Sequence, residues 1–338
     1  MKHFGFAIVA ALATLAYEGG AQAQTTLRYS NWLPAGHTVK RDVFDPWIKE
    51  VERVTNGRVK VEETPKVVGT VPGQFDVARD GLADIVLIVN GYTPNRFELS
   101  EVAELPFLSD KAEIGAAATY RLHKKHLEKY GEYAGTHVLS TFTVGSGHVL
   151  SKKPVMQIAD FKGMKLRSPQ PLVVSILNTL EAVPVQKPVS ELYELLSTGV
   201  LDGALINREA IRSFKLVDVV SNLLVVPGGM YNTTLSYLIN DGKWRSLSQT
   251  DRDAIMTVSG EAMALAVGKF YDRADAEGVE AMRQAGKTVT IADAKFVTEL
   301  KKSLAPIDGI WLEKARKKGM ANPEQVLADL KADLAKKQ

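Results

Sequence analysis

From Ser248 to Ala285 the chain holds a single helical phase, with Ile255, Val258, Ala262, Ala266 and Phe270 returning to one face. Ser248 suits an N-cap, Asp251 follows three residues later, and Gly286 suits a stop. Unbroken, such a helix is about 55–60 Å long at a rise of 1.5 Å per residue. One ordinary lobe cannot flank that length; a helix laid across two lobes can. The 338-residue length points the same way, to about two domains.

Elsewhere the chain alternates short β-rich runs with helical patterns, without repeats or low-complexity tracts, which predicts α/β layers. Leu27–Ser30 reads as a first strand. A helical face follows, carrying Val43, Phe44, Trp47, Ile48, Val51 and Val54 and ended by Asn56-Gly57. Pro46 either kinks this helix or sits at the first position of a new one capped by Asp45. Val59–Val61 and Ala83–Val89 read as strands, and Lys111–Tyr130 as a helix capped by Asp110 and stopped by Gly131. Val138–Val144 is a strand entering a Gly-Ser-Gly turn at 145–147. A second α/β block starts at His148, with strands at 165–167, 204–206 and 223–226 and helices near 172–181 and 190–197.

The first residues read as an export signal: Lys2 and His3, an apolar run from Phe4 to about Ala16, then Ala21-Gln22-Ala23. Cleavage is expected after Ala23, because the run is shorter than the roughly 20 apolar residues a membrane span needs. Cysteine is absent, which excludes disulfides, a thiolate nucleophile and a lipid anchor at the cut. Export without cysteine suggests a bacterial periplasm. The net charge of +3 is spread along the chain with no basic stripe, so no nucleic-acid partner is expected.

Several segments can be weighed for chemistry. Lys165-Leu166-Arg167-Ser168-Pro169 ends a strand on a guanidinium, at the carboxyl edge of a sheet where open α/β folds place ligands. Arg suits a carboxylate because its planar fork donates two parallel hydrogen bonds; by spacing alone, a surface Arg is the commoner outcome. Residues 281–288 miss a phosphate loop by their first glycine, and Gly286 reads as a helix stop. His123 and His126 share a helix face but lack a third metal ligand, so a solvated basic face is expected. Gly145-Ser146-Gly147-His148 lacks the wider pattern of a nucleophilic serine and reads as a turn. Trp32, Trp47 and Tyr92 are more often core aromatics than ligand stackers; Trp32 and Tyr92 gain weight because each follows a strand. No cofactor, metal or catalytic residue is called for.

The order of segments resembles the solute receptors of TRAP (tripartite ATP-independent periplasmic) transporters. The resemblance rests on Arg28-Tyr29-Ser30-Asn31-Trp32, Thr55–Val59, Asp80–Ile85, Glu104-Leu105-Pro106-Phe107, Lys153-Pro154-Val155, Asp160–Arg167, Glu191-Leu192-Tyr193, Thr198–Gly203 and Trp244–Ser248. It implies a two-lobed periplasmic binding protein fold with mixed sheets, crossing hinge strands and a long helix behind both lobes. The expected division is 24–144 plus about 231–270 for one lobe and 145–230 plus about 271–310 for the other, with 311–338 packing on both. It implies that Arg167 pairs with a substrate carboxylate. A second ligand group, often Asn in the family, falls on Asn207 by spacing from Arg167 or on Ile206 by spacing from Asp202-Gly203.

Where the sialic-acid branch of that family carries a second Arg, this chain has Gly147 or His148; where it has an aromatic before the Ser-Glu pair, this chain has Val189. The expected pocket therefore holds Arg167 and Asn207 with Tyr92, Trp32, His148, Val189, Ile206 and Met230. Such a mixture suits a monocarboxylate or 2-oxo acid at least as well as a C4-dicarboxylate. The implied function is a non-enzymatic receptor that passes a small organic acid to the membrane subunits of a TRAP transporter. An exported two-lobed enzyme and a ligand-sensing subunit for a membrane kinase are the alternatives.

Overall fold

The computed structural model describes residues 24–336. The cleavage site after Ala23 lies at its border, and the signal itself lies outside the described residues. Among the described residues, eleven strands form two mixed sheets. The first contains β1 (Thr25–Ser30), β2 (Val59–Glu63), β3 (Ile85–Val89), β4 (Thr136–Thr143) and β10 (Thr234–Asn240), in the order β2-β1-β3-β10-β4. The second contains β5 (Gly147–Ser151), β6 (Lys165–Ser168), β7 (Val183–Gln186), β8 (Gly203–Asn207), β9 (Asn222–Val225) and β11 (Thr288–Ile291), in the order β11-β9-β5-β8-β6-β7.

β1, β2 and β3 run parallel, and β10 is antiparallel to both β3 and β4. Every residue of β3 is buried, as expected of a continuous Ile-Val-Leu-Ile-Val run at the middle of a sheet. The chain crosses between sheets at 144–146 and returns at 226–233. These two crossings bond to each other through Val144 N to Thr233 O (3.1 Å), Gly147 N to Tyr231 O (2.8 Å) and Met230 N to Gly147 O (3.0 Å). The architecture is thus the expected two-lobed α/β fold with crossing strands.

The helical run at 248–285 is divided. Ser248 caps the helix Gln249–Thr257, accepting from Asp251 N, and a second helix covers Gly260–Gln284. Ser259 between them is extended (φ −108°, ψ −152°). It is pinned there by Trp47 Nε1 donating to its Oγ (3.1 Å), while Ser140 Oγ donates to Gly260 O (2.7 Å). The helix Gly260–Gln284, about 37 Å long at 1.5 Å per residue, still packs against Ala112–Leu122 and β4 on one side and Ala210–Ser213 and β11 on the other.

Of the two readings of Pro46, a new helix holds: Pro46 lies in the first turn of the helix Asp45–Val54, after a wider turn over Lys40–Phe44, but Phe44 stands at the N-cap and Asp45 is the first helical residue rather than the cap. The helix Ala112–Leu122 is not capped by Asp110, whose carboxylate instead accepts from Gly228 N (2.7 Å). Asp272 of the long helix caps it, accepting from Ala112 N (2.8 Å) and Glu113 N (3.2 Å). His123 is buried rather than part of a solvated face, and His126 Nε2 meets Asp329 at 2.9 Å. Helices Ala294–Leu304, Ile307–Lys317 and Pro323–Ala335 close the chain. Trp311, fully buried, donates to Leu99 O (3.2 Å), joining them to the 99–127 region and the second sheet in one apolar cluster.

Candidate functional site

β6 ends on Arg167 and Ser168, and the loop after β3 carries Tyr92. Arg167 is buried at 2 % exposure. Its Nε donates to Lys187 O (2.8 Å), one Nη to Leu205 O (3.4 Å) and the other to Tyr92 Oη (3.1 Å). Three of its five N–H groups are thereby committed, leaving one on each Nη. Among the described residues, no carboxylate lies within ion-pair distance of it. Tyr92 Oη also accepts Val189 N–H (2.9 Å), so two N–H donors fill its lone pairs and its own proton is left to donate.

Around this guanidinium the two sheets enclose a cleft of ≈ 620 Å³, its mouth included. The walls combine Trp32, Phe44, Phe142, Phe214, Tyr231 and Tyr271 with aliphatic residues that include Val189 and Ile206. Trp32 is fixed by its Nε1 donating to Leu87 O (2.8 Å). Both Ile206 and Asn207 line the cleft, at the end of β8. Asn207 Nδ2 is buried without a hydrogen-bond partner.

Six of the eight expected site residues therefore meet here: Trp32, Tyr92, Arg167, Val189, Ile206 and Asn207. His148 and Met230 do not line the cleft. His148 is wholly buried, with Nδ1 accepting Val226 N–H (3.1 Å) and Nε2 facing Ser146 Oγ (3.3 Å), and burial pushes its pKa down to about 3. Met230 is wholly buried in the apolar core, and its neighbour Tyr231 takes the cleft position instead. Gly147 explains the exchange: a Cβ there would stand 1.8 Å from Tyr231 Cε1. The missing side chain on β5 is the space in which the Tyr231 ring lies.

Sequence reasoning also missed His37 and Glu209, which the cleft brings together from the two sheets. His37 Nδ1 and Glu209 Oε1 are 3.8 Å apart, and both side chains are buried. Burial pushes Glu209 up to about 7, against a bond from the Ser213 hydroxyl, and pushes His37 down to about 4. Glu209 N donates to Asp275 (2.7 Å), which Arg208 also approaches (3.3 Å). Among the described residues, no group of three or more His, Cys, Asp or Glu is arranged to hold a metal.

Two mixed sheets hinged by paired crossings, closing on an aromatic cleft with a buried guanidinium, define a two-lobed solute-binding protein. The chain belongs to the DctP family, the bacterial extracellular solute-binding proteins of family 7, matched over residues 29–310. It is similar to a TRAP periplasmic solute-binding protein of Bordetella bronchiseptica solved with (R)- and (S)-mandelate: 33 % identity, 93 % of this chain and 100 % of that one, TM-score 0.89. A TRAP solute-binding protein of Rhodoferax ferrireducens with copurified benzoate shares 28 % identity over 93 % of this chain and 98 % of its own, with TM-score 0.87. A marine metagenome TRAP solute-binding protein specific for aromatic acids, solved with 3-hydroxybenzoate, shares 29 % identity over 93 % and 99 %, with TM-score 0.87. Proteins of this family serve transport from the periplasm. Among the described residues no helix is long and apolar enough to cross a membrane.

Proposed function

We propose that this protein is a non-catalytic periplasmic receptor for a small aromatic monocarboxylate, which it delivers to the membrane subunits of a TRAP transporter. The carrying observation is Arg167, a buried guanidinium with two free N–H groups and no carboxylate beside it. A buried charge without a partner is costly, and an anionic ligand removes that cost by accepting both remaining bonds. The Tyr92 hydroxyl donates a third, and Asn207 Nδ2 supplies a further donor.

The aromatic walls favour a planar ring over an aliphatic acid, since ring pairs gain about 0.5–1.5 kcal/mol beyond their buried area. A C4-dicarboxylate fits poorly, because Arg167 is the single Arg or Lys among the lining residues and Glu209 stands in the same cleft. The bound relatives from Bordetella, Rhodoferax and the marine metagenome, all carrying aromatic acids, support this reading. Mature protein should begin at Gln24, which N-terminal sequencing of periplasmic extract checks. The ligand class is tested by native mass spectrometry of protein purified without refolding, followed by calorimetry with benzoate, mandelate, pyruvate and succinate. Tighter binding of succinate or pyruvate than of both aromatic acids would sink the aromatic assignment.

A further inference from the structure

Resting on the aromatic-carboxylate reading, we propose that His37 and Glu209 form a second subsite that selects a hydroxyl group on the ligand's ring. The pair lines the cleft but shares no hydrogen-bond neighbour with Arg167. Arg167 is held by Lys187, Leu205 and Tyr92, whereas Glu209 is held by Ser213 and His37 lies beside it. Strand register separates the two ends. Arg167 stands level with Ala204 on β8, and Glu209 lies just beyond the end of that strand at Asn207. The three strand steps from Ala204 to Asn207, at about 3.3 Å each, already span about 10 Å, enough for a benzene ring and its substituents.

The two groups have the donor and acceptor capacity a hydroxyl needs. His37 Nδ1 accepts the Val39 N–H (3.4 Å), which puts the ring proton on Nε2. The Glu209 carboxyl accepts from the Ser213 hydroxyl and has the Asn207 side chain beside it, which leaves part of its hydrogen-bonding capacity open. Two polar side chains buried in an aromatic wall cost stability unless something satisfies them. Burial keeps His37 uncharged near neutrality and leaves Glu209 substantially protonated, so the pair does not repel a ligand carrying one carboxylate at the other end. A hydroxyl can donate to the Glu209 carboxyl and accept from an imidazole N–H; a methyl group of similar size can do neither.

Calorimetry on the full mature chain with benzoate, 3- and 4-hydroxybenzoate and 3- and 4-methylbenzoate tests this. At least one hydroxybenzoate should bind about tenfold tighter than the methylbenzoate of the same geometry, the scale of one well-made hydrogen bond. In Glu209→Leu and His37→Phe that ratio should fall to within about threefold of unity. Glu209→Gln, which retains shape and polarity, should keep part of it and guards against loss of folding in the apolar variants. Benzoate binding with no preference for hydroxyl over methyl in the wild type overturns the subsite alone. A preference that survives in both apolar variants also overturns it. Failure of every aromatic acid to bind overturns the aromatic-carboxylate reading and the subsite with it.

Discussion

Arg167 does two things at once. Its Nε and one Nη tie the Lys187 and Leu205 carbonyls, the other Nη donates to Tyr92 Oη, and one N–H on each Nη stays unpaired, which suits a carboxylate. Losing one member of a desolvated charge pair costs roughly 2–5 kcal/mol. At about 1.4 kcal/mol per decade, Arg167→Ala should weaken aromatic-acid binding by about 30-fold to several thousand-fold. Arg167→Lys should fail substantially as well, because a point charge cannot make a two-pronged contact. Calorimetry on folded protein decides it, and binding within about threefold of wild type would remove the carboxylate clamp. Glu209 gives a second residue-scale test. Its pKa is raised from 4.5 to about 7 in the folded chain, so its protonated form adds stability below pH 4.5, and that contribution disappears as pH rises through about 7. Relative to Glu209→Gln, wild-type stability should fall by about 3 kcal/mol between pH 4.5 and 7.5, the gap between the folded and unfolded pKa taken at about 1.4 kcal/mol per unit. Denaturant titrations of both proteins across that range measure it, and parallel pH profiles would show that the burial has been misjudged. Tyr92 was legible in the sequence because it follows a strand; Arg167 ends one, but spacing alone favoured a surface Arg, and the family resemblance was what pointed it at a ligand. His37 and Glu209 were not legible, because no local pattern joins residues on different sheets that meet only after folding.

At the scale of elements, the helical character of residues 248–285 was readable, but its break and its buried face beyond the break were not. Ala262 and Ala266, read as core-facing, are exposed, and Met263, Ala264, Val267, Gly268 and Tyr271 face the core beside Phe270. What ends the first helix is tertiary: Trp47 and Ser140 capture Ser259 and Gly260 from other elements. The same holds for the helix start at Ala112, where the adjacent Asp110 turns away and a distant carboxylate, Asp272, takes its place. Short edge strands escaped for another reason. β7 and β11 are four residues each at the two edges of the second sheet, and β7 contains Pro184, which an edge tolerates. Asp272→Ala should remove the partner of Ala112 N and Glu113 N and destabilise the fold by about 1 kcal/mol, the usual worth of a cap. Chemical denaturation reads this directly. An unchanged midpoint would mean that water replaces the carboxylate at no cost.

The whole molecule is held across its cleft by contacts that belong to neither sheet alone. Tyr92, on the first sheet, accepts from Arg167 and Val189 of the second. Gln186 Nε2 reaches Gly91 O at 3.5 Å, and His37 faces Glu209 across the same gap. These contacts bridge the two walls, and a ligand touching both is expected to shift the population towards this arrangement. Small-angle scattering should therefore show a smaller radius with saturating ligand than without. Gly91 makes the closure testable by one methyl group. A Cβ at Gly91 would stand 2.2 Å from Gln170 Cβ and 3.2 Å from its Cα. Gln170 cannot swing aside cheaply, since it is fully buried and its Nε2 donates to Glu104 (2.6 Å) and to Asn232 O (2.9 Å). Gly91→Ala should thus wedge the loops apart, leave the contraction incomplete at saturation and weaken binding by about tenfold or more, since affinity falls with the population of the competent state. Its folding should survive, because the clash arises where two loops meet and not within a sheet. If Gly91→Ala contracts and binds as the wild type does, the contact at Gly91 is not part of closure, and the cleft closes about other residues.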